Sequence, residues 1–303
     1  MGSGLIDPAP RPVGRGLAVG RLGLGCWRFV ARPDVELREL VETALELGMN
    51  LMDTADVYGL DWGGKAFGEA EANLGRVLAA APSLRDQIVL ATKGGIIPAV
   101  PYDSGPAAIT AACEASLRRL GCDVIDLYQI HRPDLFTHPA ALAEALAGLR
   151  EQGKIREVGV SNFTVSQHEA LAGCLPFPIA GSQPEFSALH LAPLRDGLLD
   201  WCMLHGAAPL AWSPLAGGRL ADGAGAGVPR ALAEVLDGLA ERESADRAAV
   251  ALAFVLAHPS RPVALVGTQR PERLRRAAAA LSMHLDRSDV YDIIEASEGT
   301  PLP

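Results

Sequence analysis

Four residues that can transfer protons or stabilise charge stand at or just after the ends of three short apolar runs. Asp53 and Tyr58 follow the first run, Lys93 ends the second and His131 follows the third. In an α/β protein the loops that leave the carboxyl ends of strands face the ligand, so side chains at these positions are exposed to whatever binds. The residue types indicate acid–base chemistry, provided that the fold brings the three run ends together.

Each of these side chains also has an ordinary structural interpretation. Asp53 could stabilise a turn or a helix cap, and Tyr58 could be an aromatic in the wall of a pocket. Lys93 could be a surface charge, and His131 a core imidazole with satisfied hydrogen bonds. Four titratable residues at successive strand ends favour the functional interpretation.

The surrounding segments predict alternating strands and helices that would position these residues. Apolar residues at helical spacing alternate with short apolar runs. Predicted strands lie within 16–25 and at 49–53, 87–92, 124–130, 155–160, 179–183, 208–212 and 263–266. Predicted helices lie at 34–47, 67–80, 106–120, 139–151, 164–173, 193–205, about 231–257, from 271, and at 288–297.

This order is typical of a closed (β/α)8 TIM barrel, in which about eight strands are each followed by a helix over roughly 250 residues. The glycines of residues 16–25 add an N-terminal β-hairpin, and the last segment adds a C-terminal extra helix. A doubly wound open sheet is the alternative, but the GxGxxG turn typical of it is absent after the first strand. No linker is apparent, so we expect one domain over residues 1–303, with residues 1–15 as a poorly ordered lead.

Composition limits the partners. The 303 residues are 49% hydrophobic. The net charge of −9 does not indicate binding to nucleic acid or to an anionic membrane surface. The five cysteines lack metal-ligand spacing, so no metal site is expected. There is no apolar stretch of signal-peptide or membrane-spanning length, which makes a cytoplasmic protein with a small-molecule partner the expectation. The composition assigns no oligomeric state.

Several stretches of the sequence resemble the aldo-keto reductase superfamily. These stretches occur in order and cover nearly the whole chain: residues 50–59 (NLMDTADVYG), 90–94 (LATKG), 125–134 (IDLYQIHRPD) and 153–163 (GKIREVGVSNF). Residues 182–187 (SQPEFS) and 211–220 (AWSPLAGGRL) are similar to the bacterial oxidoreductase branches of the superfamily. The resemblance implies an enzyme that reduces a small aldehyde, ketone or sugar-like carbonyl by hydride transfer from NADP(H).

The resemblance also implies the roles of the four titratable residues. Tyr58 would donate the proton to the developing alkoxide. Lys93 would lower the pKa of this phenol, His131 would donate to the substrate oxygen, and Asp53 would keep Lys93 charged and aimed. Asp56 receives no role and is expected to be a solvated or turn-stabilising acid.

The cofactor residues follow from the same resemblance. Ser161, Asn162 and Gln183 would hold the nicotinamide carboxamide, and Trp212 would stack on the ring, although Trp212 could also be a core residue and Ser161–Asn162 a helix cap. The phosphates would contact two loops, through Ser213, Leu215, Gly217, Gly218, Arg219, Gly267, Thr268, Arg270 and Arg273. Many members carry a lysine in place of Gly267, so NADP is expected but NAD stays possible.

The substrate pocket is expected to be lined by aromatic side chains from loops. Trp27 follows the first strand directly, and Trp62, Phe29 and Tyr102 are further candidates. Few charges lie in these segments, which favours a neutral carbonyl substrate. Two other functions stay open: a cofactor-sensing regulatory subunit built on the same barrel, and a sugar or alcohol dehydrogenase that works in the oxidative direction.

Overall fold

The computed structural model describes residues 4–60, 63–221 and 227–302. The strands are β1 (Arg11–Val13), β2 (Leu17–Val19), β3 (Leu22–Gly25), β4 (Leu51–Asp53), β5 (Val89–Gly94), β6 (Ile125–Ile130), β7 (Ile155–Ser161), β8 (Gly181–Gln183), β9 (Ala208–Ala211) and β10 (Val263–Val266). The helices are α1 (Asp34–Glu46), α2 (Glu69–Ala80), α3 (Pro106–Leu120), α4 (Pro139–Glu151), α5 (Val165–Ala172), α6 (Leu198–His205), α7 (Arg230–Arg242), α8 (Arg247–Leu256), α9 (Pro271–Ala278) and α10 (Arg287–Glu298).

The strands from β3 to β10 are parallel and close into a barrel in the order β10-β3-β4-β5-β6-β7-β8-β9. The predicted (β/α)8 barrel is therefore confirmed. Neighbouring strands are in register at their carboxyl ends, where Asp53 pairs with Ala91, Lys93 with Gln129 and Ser161 with Gln183. This register brings the ends of β4, β5 and β6 to one rim, as the candidate residues require.

The predicted N-terminal hairpin is present, but it begins earlier than the sequence pattern indicates. β1 pairs antiparallel with β2, so the lead that was expected to be poorly ordered contributes a strand. Gly14 has φ of 59° between these strands, and a Cβ there would lie 2.3 Å from the carboxyl carbon of Glu157. The buried side chains of Val13 and Val19 pack against the apolar interior of the barrel and close its N-terminal end.

The apolar core has two layers. One fills the barrel interior, with Leu51, Leu127 and Leu210 among its members, and the other lies between the strands and the surrounding helices. In α1, Leu37 and Leu40 face the second layer and are fully buried, and burial of each such side chain contributes about 1.5–3 kcal/mol. Replacement of Leu40 by Ala would leave a cavity behind β3.

One helix begins later than the sequence predicts. The segment predicted as a helix over 193–205 begins with a short 3-10 turn, Ala192–Leu194, and α6 starts only after Gly197, whose φ of 83° lies outside the helical region. The C-terminal helix is confirmed as α10, and Asp286 caps it through a reciprocal hydrogen-bond pair with Asp289. Among the described residues, no helix combines the length and the apolar character that crossing a bilayer requires.

Candidate active site

Lys93 is the centre of the candidate site. Its side chain is fully buried at the carboxyl end of β5, and its Nζ donates to Asp53 Oδ2 at 2.6 Å, to the Thr54 carbonyl at 2.8 Å and to Tyr58 Oη at 3.3 Å. The ammonium group also lies 5.0 Å from the centre of the Tyr58 ring. The structure therefore brings three of the four predicted residues into direct contact.

The carboxylate of Asp53 is paired on both oxygens. Oδ2 accepts from Lys93, and Oδ1 accepts from Gln129 Nε2 at 3.0 Å and from Gln183 Nε2 at 2.9 Å. A buried carboxylate is tolerated when a cation and further donors compensate for its lost hydration. Asp53 and the two glutamines thus hold Lys93 in one position.

Burial works to lower the pKa of Lys93, but the neighbouring Asp53 and Tyr58 outweigh it, so the pKa of Lys93 is raised. The lysine is therefore an ammonium ion at neutral pH.

The phenol of Tyr58 differs from the expectation in one respect. Burial raises the pKa of Tyr58, Lys93 lowers it, and burial is the larger effect, so the net pKa lies above the usual value of 10.0. We expected Lys93 to dominate. The consequence is that Tyr58 holds its proton at neutral pH, which suits a donor.

His131 is beside the phenol, with the two ring centres 5.6 Å apart and the rings edge to face at 82°. Burial, followed by the charges of Lys93 and Arg132, holds the pKa of His131 well below its usual value of 6.5. The imidazole is therefore neutral at neutral pH and can donate from one ring nitrogen. Its Nδ1 is buried and has no hydrogen-bond partner among the described residues.

The four predicted nicotinamide-binding residues form a connected group on the other side of the mouth. Asn162 is at its centre: Nδ2 donates to Ser161 Oγ at 2.8 Å and to the His131 carbonyl at 3.3 Å, and Oδ1 accepts from Trp212 Nε1 at 3.0 Å. Ser161 Oγ donates to the carbonyl of Gln183 at 2.9 Å. These side chains lie together in one part of the mouth, and Gln183 in addition contacts Asp53.

The loop after β9 has a shape that suits phosphate groups. Ser213, Ala216, Gly217 and Gly218 have positive φ angles of 53°, 50°, 71° and 100°. A Cβ built on Gly217 or on Gly218 would meet no atom of the described residues within 4 Å, so the described part of the chain leaves this backbone uncovered. Because β9 and β10 are neighbours, the turn that begins at the exposed Gly267 is beside it.

The other predicted phosphate-contacting residues occupy the same two segments. Arg219 is exposed and its Nε donates to the Ala216 carbonyl at 3.0 Å, while Leu215 is partly buried against the core. Thr268 Oγ1 accepts from the backbone of Arg270 at 3.3 Å. The exposed Arg270 precedes α9, and Arg273 is partly buried in its first turn.

The predicted substrate residues have three outcomes. Trp27 is 41% exposed, and its ring centre lies 6.4 Å from that of Tyr58, so it does line the mouth. Tyr102 is also exposed. Phe29 is fully buried in the layer under the helices, so its expected place in the pocket wall was wrong. Trp62 lies outside the described residues.

The expectation for Asp56 was a solvated or turn-stabilising acid, and the solvated alternative was wrong, whereas its side chain does interact with the backbone amide of Val57 in the same turn. Its side chain is 2% exposed, and its Oδ1 has no hydrogen-bond partner among the described residues. Burial, together with the nearby Glu71, raises the pKa of Asp56 well above its usual value. The backbone amide of Asp56 donates to the Lys93 carbonyl at 3.0 Å, which ties the turn before Tyr58 to β5.

Two residues of the site were missed at the level of sequence. Gln129 lies two positions before His131 on β6, and such a polar residue at the inward-facing period of an apolar strand is a signal for it. Arg132 follows His131 directly, and its guanidinium carbon lies 5.9 Å from the centre of the Trp212 ring. In residues 4–60, 63–221 and 227–302 there is no group of three or more His, Cys, Asp or Glu side chains that could bind a metal ion.

A (β/α)8 barrel with these acid–base residues at its mouth is typical of an oxidoreductase class. Comparison with known proteins supports the same class. Residues 21–298 match the model of the aldo/keto reductase family, and the chain belongs to that family. It is an oxidoreductase, and aldo-keto reductases generally use a nicotinamide cofactor.

Three similar proteins illustrate the relationship. The chain is 43% identical to a 6-dehydroglucose reductase from Novosphingobium aromaticivorans over 98% of each chain. It is 35% identical to a 6-dehydroglucose reductase from Agrobacterium fabrum, over 93% of this chain and 96% of that protein. The structure of a glycerol dehydrogenase from Gluconobacter oxydans superposes with a TM-score of 0.83 at 28% identity over 98% of each chain.

Proposed function

We propose that this protein is an NADP(H)-dependent reductase of small, sugar-like carbonyl compounds, with Tyr58 as the proton donor. The observation that carries the proposal is the position of Lys93 Nζ, which contacts both Asp53 Oδ2, at 2.6 Å, and Tyr58 Oη, at 3.3 Å. A phenol that keeps its proton at neutral pH, beside a fixed positive charge, is a donor whose conjugate base is stabilised as it forms.

Each residue of the candidate site would have a separate role in the reaction. The bound cofactor would supply the hydride. Tyr58 would give its proton to the carbonyl oxygen, and Lys93 would stabilise the phenolate that this transfer leaves. The neutral His131 would donate a hydrogen bond to the same oxygen, and Asp53, held by Gln129 and Gln183, would keep the ammonium in place.

The cofactor side of the mouth supports nicotinamide binding. Asn162, Ser161 and Gln183 offer amide and hydroxyl groups at the rim beside His131, and Trp212 supplies an aromatic face. The open backbone at Gly217 and Gly218 admits phosphate oxygens.

For the adenosine 2'-phosphate, Arg270 is the best-placed cation, because it is exposed at the start of α9. This position supports NADP over NAD, since an exposed guanidinium favours the extra phosphate.

The substrate class rests on the similar proteins and on the lining of the mouth. Two relatives are named for a dehydroglucose, and the exposed Trp27 offers the kind of flat apolar surface on which the faces of a sugar-like ring can pack.

The experiment is a comparison of native protein with the Tyr58→Phe variant. Turnover of an aldehyde panel is followed at the nicotinamide absorbance with NADPH and with NADH. Removal of the phenolic hydroxyl should lower kcat by about 10²- to 10⁴-fold, the usual contribution of a positioned proton donor. NADPH affinity, measured by fluorescence titration, should stay within a factor of about two, because the phenol is not among the residues assigned to the cofactor.

Undiminished turnover by a folded, NADPH-binding Tyr58→Phe variant would refute the role of Tyr58. Tight NADPH binding without turnover of any aldehyde by the native protein would instead favour a cofactor-sensing subunit.

A second candidate is an alcohol or sugar dehydrogenase that works in the oxidative direction. The structural similarity to a glycerol dehydrogenase favours its consideration. The same residues serve both directions, with Tyr58 in the oxidative one accepting the proton as phenolate. A kcat/KM for glycerol with NADP⁺ that exceeds the values for all aldehydes would select this alternative.

A further inference from the structure

Arg132 is a cation at the mouth of the barrel that none of the roles above uses. It follows His131 directly after β6, and its side chain is partly buried. The guanidinium carbon lies 5.9 Å from the centre of the Trp212 ring, which indicates a cation–π contact. Within the part of the chain that the structure describes, no carboxylate lies within ion-pair distance of Arg132 and no hydrogen bond engages its side chain.

The side-chain environment of Arg132 contrasts with that of Arg21, an arginine with a structural role. Arg21 is almost fully buried at the other end of the barrel, and its guanidinium donates to the carbonyls of Pro262, Leu256 and Asp7. Arg21 thus uses its donors to tie segments together. Within the described residues no group accepts from the side-chain donors of Arg132, although a partly buried guanidinium is costly to leave unpaired.

The surroundings of Arg132 show which space its donors can reach. Trp212 holds Asn162 through a hydrogen bond of 3.0 Å, and Asn162 donates to the carbonyl of His131 at 3.3 Å. His131 in turn lies against Tyr58, with ring centres 5.6 Å apart. Arg132 therefore stands beside the group that would bind the reacting carbonyl, on the side of the mouth formed by β6, β7 and β9.

We propose that Arg132 is a specificity-determining residue that donates hydrogen bonds to hydroxyl groups next to the reacting carbonyl. The preferred substrates are then hydroxylated aldehydes, and unsubstituted alkyl aldehydes are poor ones. This inference rests on the proposed function and deepens it, since it names the substrate group to which Arg132 would bind.

The chemistry of the guanidinium supports this assignment. Its planar fork presents several N–H donors in fixed directions and has no acceptor, so it matches neighbouring oxygen atoms of one substrate. A hydroxylated aldehyde satisfies these donors, whereas an alkyl aldehyde leaves them unpaired in a partly dehydrated site. Because a site built for a hydrogen bond discriminates against the analogue that lacks it, the preference should be large.

The test uses two aldehydes that differ only in their hydroxyl groups, glyceraldehyde and propanal. The kcat/KM of each is measured with NADPH for the native protein and for Arg132→Met. The variant should lose about 10- to 100-fold on glyceraldehyde and less than about threefold on propanal, because only the first makes the hydrogen bonds. Each value is a ratio of variant to native on one substrate, so the hydration of the aldehydes in water cancels.

Arg150→Met is the matched control. Arg150 also stacks on an aromatic ring, with its guanidinium carbon 4.3 Å from the centre of Phe177, but it is in the last turn of α4, which leads to the amino end of β7 and not to the rim at its carboxyl end. Its removal should change neither ratio. Arg132→Lys keeps the charge without the planar fork, so its kcat/KM for glyceraldehyde should lie between those of the native protein and of Arg132→Met. This second variant serves if the methionine variant is unstable.

The possible failures are distinct. Equal losses on glyceraldehyde and propanal, or a matching loss of NADPH affinity by fluorescence, would overturn the specificity role of Arg132. A loss confined to a carboxylated substrate, succinic semialdehyde, would overturn the assignment to hydroxyl groups in favour of an anion. If the native protein reduced neither aldehyde with either nucleotide but turned over other carbonyls, the inference on Arg132 would fall alone, and no turnover of any carbonyl would overturn the proposed function.

Discussion

Two clusters of polar side chains lie on opposite faces of the strands β4 to β6. Each contains a buried acid, and the two acids differ in their hydrogen-bond partners. On the inner face, Asp53 accepts from Lys93 and from two glutamines, so both of its oxygens are paired. On the outer face, Asp56 is equally buried, but its Oδ1 has no hydrogen-bond partner among the described residues. The two acids are three positions apart in the chain.

The outer cluster contains one acid that is paired and one that is not. Glu71 on α2 accepts from Thr92 Oγ1 at 2.5 Å and from Arg119 Nε at 2.6 Å. Burial raises the pKa of Asp56, and the nearby Glu71 adds to this rise. Burial also raises the pKa of Tyr128, whose hydroxyl has no partner in the described chain, and Asp56 is among the acids that add to it. The cation Arg119 pairs with Glu71.

The comparison shows that burial alone does not decide what an acid does. Where a cation and amide donors meet the carboxylate, as at Asp53, the charge is held and can position Lys93. At Asp56 the backbone amide of Val57 and the charge of Arg119 act in the opposite direction, but burial and the nearby Glu71 outweigh them, so the cost of dehydrating a charge favours the protonated acid. The inner cluster should therefore control catalysis, and the outer cluster should control stability and its dependence on pH.

Lys93→Met should have the largest effect, because it breaks the inner cluster. Loss of the ammonium should lower kcat by about 10²- to 10³-fold, and the free energy of unfolding should fall by roughly 3 kcal/mol because Asp53 is left as an uncompensated buried charge. The double variant with Asp53→Asn should recover stability in urea denaturation but not kcat. Recovery of both would show that Lys93 is only a structural partner of Asp53.

Glu71→Gln should have a smaller effect that falls on stability. It removes the ion pair with Arg119, whose side chain is 23% exposed, so we expect the free energy of unfolding to fall by roughly 2–3 kcal/mol. The value of kcat should change by less than about threefold, because the Glu71 side chain bonds to Thr92 and Arg119, neither of which is assigned to the reaction. The control is Glu42→Gln, whose partner Arg38 is on the surface and which should cost less than about 1 kcal/mol. A large loss of kcat in Glu71→Gln would remove the distinction between the two clusters.

Asp56→Asn should show a pH-dependent gain. Because burial raises the pKa of Asp56, the folded protein keeps a proton that the unfolded chain loses above about pH 4, so this acid lowers stability as the pH rises from there towards its folded-state pKa. The neutral amide has no such cost. Relative to the native protein, the variant should therefore gain about 1 kcal/mol or more between pH 4 and pH 7. A difference that stays constant over this range in urea denaturation would show that Asp56 is ionised when folded.

The smallest expected effect concerns His131, which should not titrate near neutral pH. Since burial and two neighbouring cations hold the pKa of His131 well below 6.5, the imidazole should stay neutral from about pH 6 upward. The profile of kcat/KM should then have no inflection from His131 between about pH 6 and pH 8. The slower His131→Asn variant should give a profile of the same shape. An inflection near pH 6.5 that is present in the native protein and lost in this variant would contradict the neutral state.

The inner cluster was predictable from sequence to a large degree. Local periodicity places α3 and α4 to the residue, and the barrel follows from the count of strand–helix units, because hydrophobic spacing is a local property of the chain. Once the barrel is assumed, Asp53, Lys93 and His131 must share a rim, since consecutive strands are neighbours. The hairpin strand β1 was missed because its burial comes from the barrel end that it covers and not from its own pattern.

The sequence by itself determined the fold class and the residue types at the mouth, because both depend on spacing along the chain. Only the tertiary structure decided what surrounds each side chain. It paired Asp53 with two distant glutamines, buried Asp56, and placed Arg132 against the ring of Trp212. Protonation and specificity depend on neighbours that are tens of residues away, and spacing along the chain carries no information about them.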